Sequence, residues 1–303
     1  MTHSIRGEDT RTPLISVVIP TCLRPDLLAR CLDCLAPGTQ TLPPEQYEVV
    51  VSDDAPLGQT AQDRLAARYP WARWTPGPRR GPAANRNHGA SEAAAPWLAF
   101  TDDDCLPAPG WLQAYADALR PGIAVYEGRT TCEGRHPGPL EHSPINLVGG
   151  QLWSCNMMIG KGALAAVGGF DENYPHAHME DTDLRERLKA AGYAFPFIPD
   201  ATVDHPPRPR HWRSLAASQE SEMVYWYKQG HTQPFGGRLF RQFARYRLSV
   251  IKRTLLRGGE LPDALRAALF LPAELGYLAS HVRAWDRKYK RRYADVPKVA
   301  GAP

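Results

Sequence analysis

The chain has 303 residues, 43% of them apolar and 22% charged, the balance of a soluble globular protein with room for one large domain, or one domain plus an appendage. No run of 18 or more uncharged apolar residues occurs in it, which excludes a transmembrane helix, and Met1–Asp9 lacks the apolar core of a signal peptide, so a cytoplasmic protein is expected. The net charge of +4 is unevenly spread: from Pro206 onward nineteen Lys/Arg face seven Asp/Glu, leaving an acidic front and a basic back. The six cysteines are expected to stay reduced in that compartment. Cys31 and Cys34 form a single C-x-x-C without a second pair, which reads as core thiols rather than a zinc site.

In chain order, Leu14–Pro20 is a β-branched run ended by proline and predicts a buried strand. Asp26–Leu35 spaces Leu27, Leu28, Cys31, Leu32 and Leu35 as a helix does. Tyr47–Ser52 predicts a second strand ending at Asp53 and Asp54, and Thr60–Tyr69 a second helix. Ala72–Thr75 predicts a short strand and Ala83–Ala94 a third helix. That helix feeds an apolar strand, Pro96–Phe100, which ends in Thr101-Asp102-Asp103-Asp104. Strands alternating with helices in short units predict a mostly parallel sheet. Further on, Glu133–Pro139 is loop. Glu180–Ala191 predicts a helix with acids at its start and bases later, as its dipole prefers. Tyr193–Pro199 is strand or extended, Pro206–Arg210 a linker, and two or three helices follow.

Three adjacent carboxylates repel one another and are costly to bury unpaired. They suit a hard divalent cation shared with a substrate phosphate; the same residues also suit a solvated acidic turn. If the strand persists through them, Asp102 and Asp104 face one way and can address one ion. Ligands of parallel α/β sheets sit outside the carboxyl ends of the strands. Asp53-Asp54 and Asp102–Asp104 both fall there.

Six short motifs occur in an order and spacing that resemble the family two glycosyltransferases. They are Ser16–Thr21 with Arg24-Pro25 and Leu28; Val50–Asp54; Arg86-Asn87-x-Gly89; Phe100–Asp104; Gly168–Glu172; and Glu180–Leu184. The resemblance covers residues 14 to 205. It implies the A-type glycosyltransferase fold, an α/β nucleotide-binding sheet flanked by helices, here with a helical C-terminal extension. It divides the chain into a flexible segment, 1–12, a transferase domain, 13–205, and a basic helical extension, 206–303. Within the domain, 13–105 is the nucleotide-binding half and 106–205 the acceptor half.

The resemblance also implies residue roles. Asp104 is the expected metal ligand, with Asp102 and Asp103 beside it and His205 as a further metal or phosphate contact, the ion being Mn2+ or Mg2+. Pro20, Thr21 and Arg24 occupy the loop that wraps the nucleoside in relatives, and Arg86 the place of an arginine near the diphosphate, with Arg79 and Arg80 as neighbours. Asp53 matches a base-reading aspartate. A carboxylate only accepts hydrogen bonds, so it suits the ring N–H of uracil or thymine. Asp181 matches the catalytic base of inverting members and doubles as a helix cap; Glu180 contacts the acceptor or shares that role. Trp153, Asn156 and His178, with His176, flank the acceptor region, where they read equally as core and loop residues.

The expected activity is therefore metal-dependent, inverting transfer of a sugar from a UDP- or dTDP-sugar to a hydroxyl of a glycan, a lipid-linked acceptor or a small molecule. A sugar-nucleotidyltransferase is the first rival, but it wants a glycine-rich basic loop where this chain has Pro20–Pro25. A non-catalytic nucleotide- or carbohydrate-binding module is the second. The basic helices of the extension suit an anionic membrane surface, at the inner face, or a second subunit. Nucleic acid is a poor fit, since no recognised module accompanies the charge.

Overall fold

The computed structural model describes residues 12–134, 137–231, 235–256 and 261–296; apart from Thr12, the segment expected to be flexible at the N-terminus lies outside them. The sheet starts from β1 (Ile15–Thr21), whose seven residues are all buried. β2 (Tyr47–Asp53) lies parallel to it, from Ile15 opposite Tyr47 to Thr21 opposite Asp53. β3 (Arg73–Pro76) joins the far side of β2, and β4 (Trp97–Phe100) runs parallel to β1 on the other side. As expected, these four strands are parallel, and their carboxyl ends line up at one edge.

The sheet continues as a mixed one. β5 (Leu106–Pro107), β6 (Val125–Thr131), β8 (Met157–Gly160) and β9 (Phe197–Asp204) extend it in the order β3-β2-β1-β4-β8-β6-β9-β5. β8 runs against both β4 and β6, while β9 is parallel to β6. A separate two-stranded ribbon pairs β7 (Glu141–His142) with β10 (Arg208–Pro209).

Alternation along the strands divides the core into two layers. Ile15, Val17 and Ile19 pack with Leu28, Leu32 and Trp111, from α1 (Pro25–Leu35) and α4 (Trp111–Ala118). Val18, Leu98 and Phe100 pack with Phe170 and Leu184 on the other face. The helices over that face are α3 (Pro82–Glu92), α5 (Lys161–Ala166) and α6 (Glu180–Ala190). The remaining helix of this half, α2, is shorter than the sequence predicts. It spans only Ala61–Leu65, started by a reciprocal capping box between Thr60 and Asp63. The strand predicted at Tyr193–Pro199 begins later and runs to Asp204, because Pro196 and the preceding turn keep the chain out of the ladder.

Among the described residues four helices, not two or three, follow the ribbon: α7 (Trp212–Ala217), α8 (Gln219–Lys228), α9 (Phe235–Leu256) and α10 (Leu261–Arg292). Their own cluster, including Met223, Tyr227, Leu239, Phe243, Leu278 and Trp285, also takes in Tyr174. Arg247 of α9 and Glu274 of α10 are both buried and form a bidentate pair, 2.8 and 2.9 Å, while Arg247 also donates to the Pro139 carbonyl at 2.6 Å.

Candidate active site

The carboxyl ends of β1, β2, β4 and β9 bring one crevice together. Thr21 closes β1, Asp53 closes β2, the aspartates follow β4, and His205 follows β9. α3 carries Arg86 to the same place. Gly89, one turn along that helix, allows the approach, since a Cβ there would stand 2.6 Å from Cγ1 of Val18.

The aspartates do not continue the strand. β4 stops at Phe100, and a turn follows in which the Cys105 N–H bonds to the Asp102 carbonyl at 3.1 Å. Their side chains therefore diverge, and the expectation that Asp102 and Asp104 share one strand face is corrected. Asp102 accepts from Arg86 at 2.7 Å. Asp103 accepts from the Thr21 hydroxyl at 2.6 Å and pairs with Arg24 at 2.7 Å. Asp104 pairs with Arg208 at 2.7 Å and Arg24 at 3.2 Å.

The second oxygen of Asp104 is different. Oδ1 has no hydrogen bond and lies 3.4 Å from Nε2 of His205, which is fully buried and likewise without a partner. Nδ1 of that ring lies 3.1 Å from the Pro206 carbonyl. A carbonyl only accepts, so Nδ1 donates to it; Nε2 faces Asp104, and it is the neutral ring that offers a lone pair there for a metal. Asp104, Cys105 and His205 together offer donor atoms within 4.8 Å of one another. An oxygen and an imidazole nitrogen suit Mn2+ or Mg2+ better than the thiol does. The residues thus fit a metal, but the pairing is Asp104 with His205, and Asp102 stands apart on Arg86.

Burial and nearby charge sort the carboxyls. Burial alone would raise Asp102, but Arg86 beside it, and Arg208, hold it down at about 2. Burial dominates at Asp103, which rises to about 7 despite Arg24. Glu180 also rises to about 7, through burial and the neighbouring Asp181, although Arg86 reaches its Oε1 at 3.2 Å. Asp181 is raised too, by burial, against the pull of Arg86.

Asp181 is not the cap that the sequence suggests. Met179, in a left-handed conformation, occupies that position, and Glu180 and Asp181 are the first two helical residues. Burial outweighs the helix dipole, so this carboxylate is a stronger base than its place at a helix start would make it. Asp183 behaves as expected in pairing with Arg187 at 2.7 Å, and also accepts from Lys228.

Asp53 is buried, and its oxygens accept the Ala55 and Ala61 amides at 2.9 and 2.6 Å, fixing the start of α2. Asp54 holds the Arg79 and Gly81 amides. Arg80 turns away to Glu172 at 2.5 Å. Pro20 is a buried residue within β1.

On the acceptor side one expectation fails. Asn156 is buried beneath the sheet. Its oxygen accepts from Trp111 and Tyr115, and its nitrogen donates to the Arg129 and Ala201 carbonyls. No hydrogen-bonding capacity remains for a ligand. Trp153 is half-buried against the core, its ring N–H unpartnered. His178 is half-buried and 3.1 Å from Glu222, and His176 lies 3.7 Å from Glu220.

Arg208 escapes the sequence reading, and Asn87 enters it only as part of a motif, without a role. Arg208 lies in the segment read as linker, yet the β7–β10 ribbon holds it on Asp104. The alternation of arginine with proline in Pro207–Arg210 is its only trace in sequence. Asn87 brackets Phe170, donating to its carbonyl at 2.8 Å and accepting its N–H at 2.9 Å; a Cβ on the adjacent Gly169 would fall 2.7 Å from the Asn87 oxygen.

Residues 16–149 match the family model described as glycosyl transferase family 2. This segment is a family 2 glycosyltransferase domain. Validoxylamine A glucosyltransferase of Streptomyces hygroscopicus subsp. limoneus is 32% identical over 231 residues, 61% of this chain and 50% of the relative. Glycosyltransferase AglE of Haloferax volcanii is 24% identical over 213 residues, 65% of this chain and 68% of the relative. The chain spans about half the length of the validoxylamine A glucosyltransferases it matches. Among solved structures, the mannosyltransferase PcManGT of Pyrobaculum calidifontis, in complex with GDP-Man and Mn2+, superposes with a TM-score of 0.55 at 21% identity, covering 92% of this chain and 89% of that one. TarS 1-349 of S. aureus in complex with UDP gives 0.52 at 16% identity, covering 92% and 90%. The chain has the A-type glycosyltransferase fold, with a helical C-terminal part.

Proposed function

We propose that the chain is a metal-dependent, inverting glycosyltransferase that moves a sugar from a UDP- or dTDP-sugar to an acceptor hydroxyl. The observation that carries this reading is the pair of buried, unpartnered donor atoms, Oδ1 of Asp104 and Nε2 of His205, beside three arginines at the carboxyl edge of the sheet. Buried polar atoms are rarely left unpaired, and this pair suits a cation. Asp104 and His205 would hold it, and when bound it would neutralise the charge that grows on a departing nucleoside diphosphate.

The chain's own residues supply the rest. Arg24, Arg86 and Arg208 each already hold a carboxylate, and guanidinium groups serve diphosphate oxygens equally well. Asp53, oriented by two backbone amides, retains lone pairs for an imino N–H of uracil or thymine. Pro20 and Thr21 form the floor beside it. Asp181 takes the proton from the acceptor hydroxyl, and its raised basicity suits that task. Glu180, whose carboxyl holds its proton up to about pH 7, can donate a hydrogen bond to the acceptor when protonated. His178 and Trp153 border that side. In this reading residues 13–105 hold the donor, 106–205 the acceptor, and 206–303 support both.

The test is donor-dependent sugar transfer with added Mn2+ or Mg2+, with and without chelator. Wild-type protein should transfer only with metal. Asp104→Ala should lose metal-dependent binding of nucleoside diphosphate. Equal transfer after chelation, or unchanged nucleotide affinity in that variant, would defeat the proposal. A panel of UDP, dTDP, GDP and CDP read by thermal stabilisation selects the donor.

A further inference from the structure

The C-terminal helices expose apolar side chains that no described residue covers. On α10, Leu261, Leu265 and Leu269 recur every fourth residue, so they share one side of the helix, and they are 58%, 56% and 77% exposed. Exposed Ala268, Pro272 and Ala273 lengthen the stripe. Ala264, Ala267, Glu274 and Leu278 are its buried side. On α9, exposed Leu248 and Leu255 lie at helical spacing with Arg241, Arg245 and Lys252, which are exposed as well. Arg253 and Arg266 add two more exposed cations.

Acids are scarce on these surfaces. Among described residues 237–276 they are Asp263 and Glu274 alone. Glu274 is buried against Arg247, and Asp263 is half-buried, 4.0 Å from Arg266. Among the described residues, the exposed leucines therefore sit among cations with no fully exposed carboxylate.

We infer that these helices dock on the surface of an anionic phospholipid bilayer. The leucines enter the interfacial region while the arginines and lysine meet the headgroups, as amphipathic surface helices do. Charge selects this occupant. A twofold pairing of two copies through the same face would bring the exposed cations of both copies into one interface with no exposed described carboxylate to answer them. No helix among the described residues is long and apolar enough to cross a membrane, so the contact is with the surface. The inference concerns partitioning alone and does not depend on the transfer reaction.

The full chain is sedimented with vesicles of phosphatidylcholine, or of phosphatidylcholine mixed with phosphatidylglycerol. Binding to the mixed vesicles, weakened by salt and absent on neutral ones, is expected. Leu265→Ser/Leu269→Ser and, separately, Arg245→Glu/Lys252→Glu should each lower partitioning about tenfold or more. All four side chains are exposed, so melting temperature and nucleotide binding should hold. Equal binding to neutral vesicles, no loss in the leucine variant, or a solution dimer that the leucine variant dissociates would each overturn the inference, the last by assigning the face to a second copy.

Discussion

Nε2 of His205 faces Oδ1 of Asp104 across 3.4 Å, and neither atom has a hydrogen bond. One residue comes from the end of β9 and the other from the turn after β4, so the pair exists only when the mixed sheet has closed. His205→Gln keeps bulk and polarity but loses the imidazole lone pair. Its affinity for Mn2+ should fall by more than about tenfold, roughly 1.4 kcal/mol, measured by titration calorimetry. Unchanged affinity would move the metal elsewhere.

Asp181→Asn should fold normally and transfer poorly. Helix α6 is not capped by this side chain, which accepts the Thr182 amide at 2.8 Å and the Ser154 amide. A lost general base costs about 10²–10⁴ in rate. The melting temperature and nucleotide affinity should match wild type while kcat drops by that order; wild-type turnover would remove Asp181 from the mechanism.

Glu180 gives stability a pH dependence. Its carboxyl sits at about 7 in the folded protein, against 4.5 ordinarily. Between those values the folded state holds a proton that the unfolded state has released. This contribution is therefore complete below about pH 4.5 and is lost as pH rises through about 7. Asp103, also at about 7, adds the same sign. Without ligand, melting temperature should decline across that window, and Glu180→Gln should flatten part of the slope. A curve of identical slope in the variant would contradict this.

Arg247→Ala should destabilise by about 3–5 kcal/mol, because it strands a buried Glu274 carboxylate. Arg247→Met with Glu274→Leu should recover most of the loss, as read by urea unfolding. A single variant as stable as wild type would show that water reaches Glu274.

Much of this was legible in sequence. β-branched runs and turn residues placed the four parallel strands within a residue or two, and for β1 and β2 the reason is that a strand buried on both faces has little compositional freedom. The acidic motifs fell at the carboxyl edge as parallel topology requires. What the sequence hid was non-local. Where the side chains of Asp102, Asp103 and Asp104 point depends on the strand ending at Phe100, which local pattern does not mark. Arg208 is drawn into the crevice by a two-residue ribbon too short to leave a periodicity. Asn156 looks polar and available, yet Trp111 and Tyr115, more than forty residues earlier, claim its oxygen.

The Asn87 carboxamide clasps the Phe170 peptide from both sides. Arg86, next along α3, thereby shares a rigid frame with the loop that leads to Glu180 and Asp181. The groups proposed to meet the leaving phosphate and to accept the proton cannot drift apart like jaws. The ribbon that carries Arg208 pairs only two residues on each strand, which makes it the lighter door beside Asp104.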